Sequence, residues 1–317
     1  MTSAIRQVAD SSDSSLIEYG STSRYAEAVP PRNVVIARLL GGLGNQLFQY
    51  AAARCIALKK GWRLKLDVNG FDRYRRRTYA LGNFRIVEDF ASPDDVKLLK
   101  RSQIGLLLQK LPFTRQTHIQ ERHFHYDARM RDIRSGVYLA GYWQSEKYFS
   151  DVSDIIRAEF SPKVAPISDT LATLRLIESV NSVSVHVRRG DYVTNPSARR
   201  LHGCCSLDYY RYALTVISRR VRDPHYFVFS DDCVWARTNL VIDGPVVFVD
   251  FNGVGQDHED LRLMSKCRHH VIANSTFSWW GAWLAGHPQQ VVVAPRRWFA
   301  SGGNDTSDLY PSGWLQV

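Results

Sequence analysis

Ser184-Val185-His186-Val187-Arg188-Arg189-Gly190-Asp191-Tyr192-Val193 joins a short apolar alternation to two arginines, a glycine and an aspartate. From Val183 to Val187 the period is two, as in a short buried strand. A strand that ends in Arg-Arg-Gly-Asp delivers two guanidiniums to its carboxyl end, where open α/β sheets keep their ligand crevice. Guanidinium is well matched to phosphate, because its planar fork makes paired charge-assisted hydrogen bonds. On its own, the same pair reads equally well as loop arginines that are solvated or bridged to Asp191.

The flanking sequence favours the crevice. Helical spacing over 168–178 leads into this strand, and a second helix follows over 206–220 with Ser206 as its N-cap. A strand over 225–230 ends in Ser230-Asp231-Asp232. Then come a strand at 246–250, a helix at 257–266, and a strand at 270–273 that runs into Asn274-Ser275-Thr276-Phe277-Ser278-Trp279-Trp280-Gly281. A last strand spans 291–294. Repeated strand–helix alternation predicts an open, doubly wound parallel sheet over 164–317. Ser161-Pro162 to Pro166 reads as a linker from an earlier domain.

That earlier domain is expected over 33–163, after a polar tail at 1–32 that has no sustained periodicity and reads as disordered. Val34 to Leu39 is a continuous apolar run, typical of a buried parallel strand. It feeds the turn Gly41-Gly42-Leu43-Gly44-Asn45-Gln46, then a helix over 47–58 and a strand over 64–68. Leu47 stands where a dinucleotide fingerprint needs its third glycine, and no Gly-Lys-Ser/Thr follows, so neither cofactor is indicated. What remains is a tight turn that is either structural or lets Gly42, Gly44, Asn45 and Gln46 approach a ligand closely. Arg73-Tyr74-Arg75-Arg76-Arg77 reads first as a solvated basic face, with contact to lipid-linked phosphates or an anionic membrane as the alternative. An amphipathic helix is expected between Pro93 and Gln109. His123 and His125 lack a third ligand nearby and read as surface histidines. A strand at 137–140 precedes Gly141 to Phe149, where Trp143 and Gln144 suit a sugar ring as well as they suit packing.

The 317 residues are 44% hydrophobic and 23% charged, which is an ordinary globular composition. The net charge of +10 points to an anionic ligand, nucleic acid or an acidic membrane surface. No apolar run approaches the roughly 20 residues of a membrane span. The 5 cysteines contain no Cys-x-x-Cys pair, so neither a disulfide framework nor a zinc site is indicated, and a reducing cytoplasm is the expected setting.

Three strand ends of the second half share one chemistry. Arg188 and Arg189 suit phosphate; Ser275, Thr276 and Ser278 stand at a helix start, where hydroxyls and free amides hold phosphate oxygens. Asp231 or Asp232 can accept from ribose hydroxyls or guanine N–H groups. The sum describes a nucleotide-diphosphate site. Asp-x-Asp, a common way to hold a diphosphate-bridging metal, is absent, so a metal-free nucleotide-sugar transferase is expected.

Four of these motifs together resemble the α-1,2-fucosyltransferases of glycosyltransferase family 11: Gly41 to Ala51, His186 to Tyr192, Ser230 to Asp232, and Asn274 to Gly281. Gly141 to Phe149, Tyr310-Pro311 and Trp314 are similar to the family as well. The resemblance implies a GT-B fold with two Rossmann-like α/β domains facing a cleft. It implies GDP-β-L-fucose as donor, inversion to an α-linked fucoside at the 2-hydroxyl of a terminal galactose, and no metal. It gives Arg188 the neutralisation of the β-phosphate, His186 and Arg189 with Asp231 and Asp232 the nucleotide, and Asn274, Ser275, Thr276 and Ser278 the pyrophosphate region. Asp191 is expected either as the catalytic base or as a salt bridge that orients Arg189. The glycine turn with Asn45 and Gln46, and Trp143 with Gln144, would line the cleft on the acceptor side. The acceptor would be a free or lipid-linked glycan of O-antigen or surface polysaccharide. A basic nucleic-acid-binding protein is the rival from another class, but no binding module is present and the arginines are spread over both halves. An inactive GDP-sugar-binding or carbohydrate-binding relative is the other.

Overall fold

The computed structural model of the chain describes residues 33–72, 77–100, 116–253 and 255–317. The expected tail at 1–32, Arg73 to Arg76 of the basic cluster, and the later part of the helix expected up to Gln109 lie outside the described residues.

Two parallel sheets form, one from each half. The first holds β1 (Val34–Arg38), β2 (Arg63–Asp67), β3 (His118–Gln120) and β4 (Val137–Ala140) in the order β2-β1-β4-β3. The second holds β5 (Asn181–Val187), β6 (Pro224–Ser230), β7 (Val246–Val249), β8 (His269–Val271), β9 (Val292–Ala294) and β10 (Leu315–Gln316) in the order β10-β9-β8-β5-β6-β7. Every strand pair is parallel, so all carboxyl ends of a sheet share one edge. This meets the expected GT-B plan of two α/β halves. Beside β5 the strand order turns from β8 on one side to β6 on the other, which makes the β5/β8 gap the topological switch point where such sheets bind ligands. β3 and β10 were not anticipated, since three and two residues are too few to show a period.

Helix α1 (Leu43–Lys60) follows β1 and stops at Gly61, whose φ of 63° supplies the left-handed cap. Helix α2 (Pro93–Leu99) opens with a capping box between Ser92 and Asp95. After α3 (Ser153–Glu159) the expected linker is pinned rather than loose: Arg85 N donates to Ser161 O and Lys163 N to Asn83 O. The second half adds α4 (Ser168–Ser179), the short α5 (Gly190–Thr194) and α6 (Pro196–Leu201), α7 (Leu207–Arg220), α8 (Cys233–Asn239), α9 (Asp257–Lys266) and α10 (Thr276–Ala285). Ser206 caps α7 as expected, its hydroxyl accepting from Tyr209 N at 3.2 Å. No helix among the described residues is long and apolar enough to cross a membrane.

Helix α10 explains the Trp-Trp-Gly-Ala-Trp string. A helix that is apolar all round must be buried, and α10 packs on α1 at the junction of the two halves. Phe48 meets Trp279 and Trp280 with ring centroids 4.5 and 4.8 Å away, and Phe149 stacks on Trp280 at 5.3 Å. The indole N–H of Trp280 donates to Gly44 O at 3.0 Å. One apolar cluster therefore runs through both halves, which fixes the two sheet edges against each other.

Gln46 belongs to this scaffold. It is 0% exposed, its amide nitrogen donates to Gly41 O and Thr78 O at 2.9 Å, and its amide oxygen accepts from Ala80 N at 2.9 Å. Gln46→Ala leaves three part-buried backbone groups without this partner and a void at a buried side chain. The expected loss is roughly 1–3 kcal/mol of stability, read as a lowered urea midpoint. An unchanged midpoint would contradict this structural role.

Candidate active site

The register of the second sheet builds the site. Val187 stands level with Ser230 across β5 and β6, so the next residues on each strand, Arg188 and Asp231, meet beyond the sheet edge. Arg188 Nη1 lies 2.9 Å from an Asp231 oxygen, and Arg188 Nη2 lies 2.5 Å from Asp191 Oδ1. Arg189 N donates to Asp231 Oδ1 at 2.8 Å, and its Nε to Asp232 Oδ2 at 3.1 Å. The Arg189 guanidinium also sits 3.9 Å over the Trp235 ring. Thus the four predicted residues of these two strand ends do come together, with the carboxylates holding the guanidiniums in place. Gly190 is required here: a Cβ on it would lie 2.5 Å from Asp231 Oδ2.

Asp191 bridges elsewhere than expected. Its second oxygen is 3.1 Å from Arg77 Nη2, so it links Arg188 to Arg77 of the first half rather than orienting Arg189. Arg77 is thus not simply part of a solvated basic face, and no local sequence signal marks a residue that pairs with one so distant in the chain. Both partners are part-exposed, so the pair contributes little to stability, at most about 1 kcal/mol. Arg77→Ala is therefore expected to leave the melting curve nearly unchanged while lowering turnover several-fold through a misplaced Arg188. A large melting shift with normal kinetics would contradict that.

His186 is 4% exposed. Burial holds its pKa well below the usual histidine range, so the ring is neutral at pH 7. Its Nδ1 is buried and makes no hydrogen bond among the described residues. Phe277 packs against the ring at 5.8 Å.

At the end of β8 the expected hydroxyl cluster divides. Ser275 caps α10, accepting from Phe277 N at 3.3 Å, and Ser278 donates to Ser275 O and accepts from Ala273 N, both at 3.2 Å. Thr276 is left with its hydroxyl toward the glycine turn. Asn274, 3% exposed, is a lock: its amide nitrogen donates to His202 O, Gly203 O and Trp298 O at 3.0, 3.1 and 3.3 Å.

Gly44 brings the halves together. A Cβ there would lie 2.5 Å from Thr276 C and 2.6 Å from Phe277 N, so the starts of α1 and α10 touch. Gly42, by contrast, has open space, with Arg77 side-chain atoms at 3.9 Å. Gln144 donates to Asn45 Oδ1 at 3.0 Å, tying the turn to the segment after β4. In that segment Trp143 is 1% exposed, turned into the core by a φ of 56°. Glu121 holds the turn by accepting from Tyr142 N at 2.6 Å and Trp143 N at 3.0 Å. Tyr142, 39% exposed, is the aromatic that faces outward. Of the expected acceptor-side residues, Gly42 and Asn45 are part-exposed, whereas Gly44, Gln46, Trp143 and Gln144 are buried. The part played by Glu121 carried no motif that a sequence could reveal.

Among the described residues no group of three or more His, Cys, Asp or Glu could hold a metal ion. Chemically, the arrangement offers guanidiniums, a neutral imidazole and a helix start around one crevice at the switch point, which is a setting for a diphosphate and its attached ring.

Comparisons with known proteins agree. The chain is 32% identical over 297 residues to an alpha-1,2-colitosyltransferase of Escherichia coli, covering 90% of this chain and 99% of that one. It is 33% identical to the O-antigen biosynthesis glycosyltransferase WbnK of Escherichia coli, covering 88% and 99%. It is 27% identical to the galactoside 2-alpha-L-fucosyltransferase Sec1 of Mus musculus, covering 81% and 66%. The profile described as Glycosyl transferase family 11 matches residues 125–317. With that match over more than half its length, the chain belongs to glycosyl transferase family 11 and is a glycosyltransferase.

Proposed function

We propose that this enzyme transfers L-fucose from GDP-β-L-fucose to the 2-hydroxyl of a terminal galactose, with inversion and without a metal. The observation that carries the donor half is Arg188, held between Asp231 and Asp191 beyond the end of β5 at the switch point. In this reading residues 164–317 bind the donor and residues 33–163 form the acceptor side. The C1–O bond to the β-phosphate breaks while the galactose O2–C1 bond forms, and GDP leaves with the bonding electrons. Arg188 meets the charge that builds on the β-phosphate, and the amides and Thr276 hydroxyl at the start of α10 assist. Arg189 and His186, with Asp231 and Asp232, hold the nucleoside side. Asp191 orients Arg188 and Arg77, since each of its oxygens already accepts from a guanidinium. The attacking hydroxyl loses its proton late, as the new bond closes, and the proton passes to the departing diphosphate or to water.

The acceptor we infer is a galactose-terminated unit of O-antigen or another surface polysaccharide, free or lipid-linked, met in the cytoplasm or at the inner face of the membrane. The name of the WbnK relative and the net charge of +10 support it. A second reading has colitose, which lacks the 3-hydroxyl of fucose, as the transferred sugar, because a relative at 32% identity is named for it. The test is turnover in EDTA with GDP-fucose, GDP-colitose or GDP-mannose against β-galactosides, with the product linkage read by NMR. Fucosyl transfer to O2 is the expected result. Preference for GDP-colitose selects the second reading, and transfer to another position overturns both.

A further inference from the structure

A second cavity, of about 670 Å³, opens beyond the ends of β8 and β9. We propose that it is a subsite, supplied by the donor half rather than by residues 33–163, for an anionic group, a phosphate or carboxylate borne by the sugar that follows the galactose; this rests on the galactoside-transferase reading. Its volume falls within the ~300–1,000 Å³ of small-ligand sites. Arg296, Arg297, Tyr209, Tyr212, Phe299 and the carboxyl-terminal Val317 are among its lining residues, and no Asp or Glu side chain lines it.

Its arginines differ from those of the candidate active site in their pairing. Arg77, Arg188 and Arg189 are each matched by a carboxylate. Arg296 and Arg297 are exposed, and neither side chain makes an ion pair or hydrogen bond among the described residues. Two unmatched guanidiniums in a concave wall hold a positive potential that a planar anion relieves in bidentate fashion. Tyr212, 60% exposed, and Phe299 offer faces for sugar rings.

The walls are built rather than incidental. Asn274 fastens the loops at 202–203 and 298, Ala300 N donates to Leu201 O at 3.0 Å, and Arg296 N donates to Val317 O at 2.8 Å. Gly203 has a φ of +63°, and a Cβ on it would lie 3.0 Å from Ala300 Cβ. Tyr209 donates to Ile272 O at 2.5 Å and Val293 O at 3.2 Å. A column of stacked rings, Tyr192 on His202 at 4.7 Å and His202 on Phe299 at 5.7 Å, separates the cavity from Arg188. The guanidiniums on the Arg188 side of this column are engaged by carboxylates, and the Arg296–Arg297 pair on the other side is left for a different anion.

The test is direct binding, so that it does not depend on turnover. Lactosamine, lactosamine 1-phosphate and galactosyl-glucuronic acid are titrated into the full chain saturated with GDP, and the same is done with the R296Q/R297Q variant. The anionic ligands are expected to bind about tenfold more tightly than lactosamine, the scale of one charge-assisted hydrogen bond, and to lose that advantage in the variant. The better of the two names the source, phosphate or acidic sugar. Cys204→Asp, which puts a negative charge at an exposed position in the lining, should weaken anion binding without touching either arginine. Equal binding of neutral and anionic ligands, or an advantage retained in both variants, overturns the subsite. If the anions bind as expected but no galactoside is ever fucosylated or colitosylated, it is the transferase reading that fails.

Discussion

Arg188→Ala is expected to lower kcat/KM by about 10²–10³-fold, the usual scale for removing one preorganised donor to a developing anion. The loss should exceed that of a simple contact. Arg188 stands between Asp231 and Asp191, at 2.9 and 2.5 Å. Removing it leaves two carboxylates facing the proposed position of the diphosphate, so the variant is expected to repel that group. Arg188→Lys keeps a charge but loses the fork that spans both carboxylates and a phosphate oxygen, and recovery should be partial. Steady-state kinetics with a melting curve separate this from unfolding. A kcat/KM within threefold of the wild type would contradict the role.

Gly44→Ala is expected to be the most damaging small substitution in the first half. The added Cβ would sit 2.5 Å from a backbone carbon of Thr276 and 2.6 Å from Phe277 N. Neither atom is the end of a flexible side chain, so the starts of α1 and α10 must part by roughly an ångström, as over-packed cores do. Separation strains the Trp280 hydrogen bond to Gly44 O and the contact of Phe48 with the same ring. Roughly 2–4 kcal/mol of destabilisation follows, with turnover lost beyond what the folded fraction explains, because the cleft edges move apart. Gly42→Ala is the control, since its φ is −77° and the nearest side-chain atoms are 3.9 Å away. Equal tolerance of the two changes would overturn this reading of the turn.

The strands β5, β6 and β8 and the start of α10 were legible in the sequence from their apolar runs and polar termini, whereas the five-residue α5 that carries Asp191 is too short to show a period. β5 runs into Arg188, β6 into Asp231, and β8 into the capped start of α10, within a few residues of the expected bounds. Side-chain partnerships were less legible. Gln46 and Trp143 sat in motifs that suggested a cleft, yet backbone groups at 78–80 capture the first and a left-handed turn buries the second. Arg77, Glu121 and the Arg296–Arg297 pair act through contacts distant in sequence or through lacking them, and neither leaves a local pattern. The Asn-Ser-Thr-Phe-Ser string likewise reads as a phosphate site, although Asn274 and Ser278 are engaged in holding loops and turn.

The central claim is that Arg188 and His186 hold a nucleoside diphosphate in the crevice between β5 and β8. Calorimetric titration of GDP into the wild type and into Arg188→Ala, both in EDTA, tests it most directly. Binding by the wild type with at least a tenfold loss in the folded variant is the predicted result. No GDP binding, or equal binding by the two proteins, would contradict it.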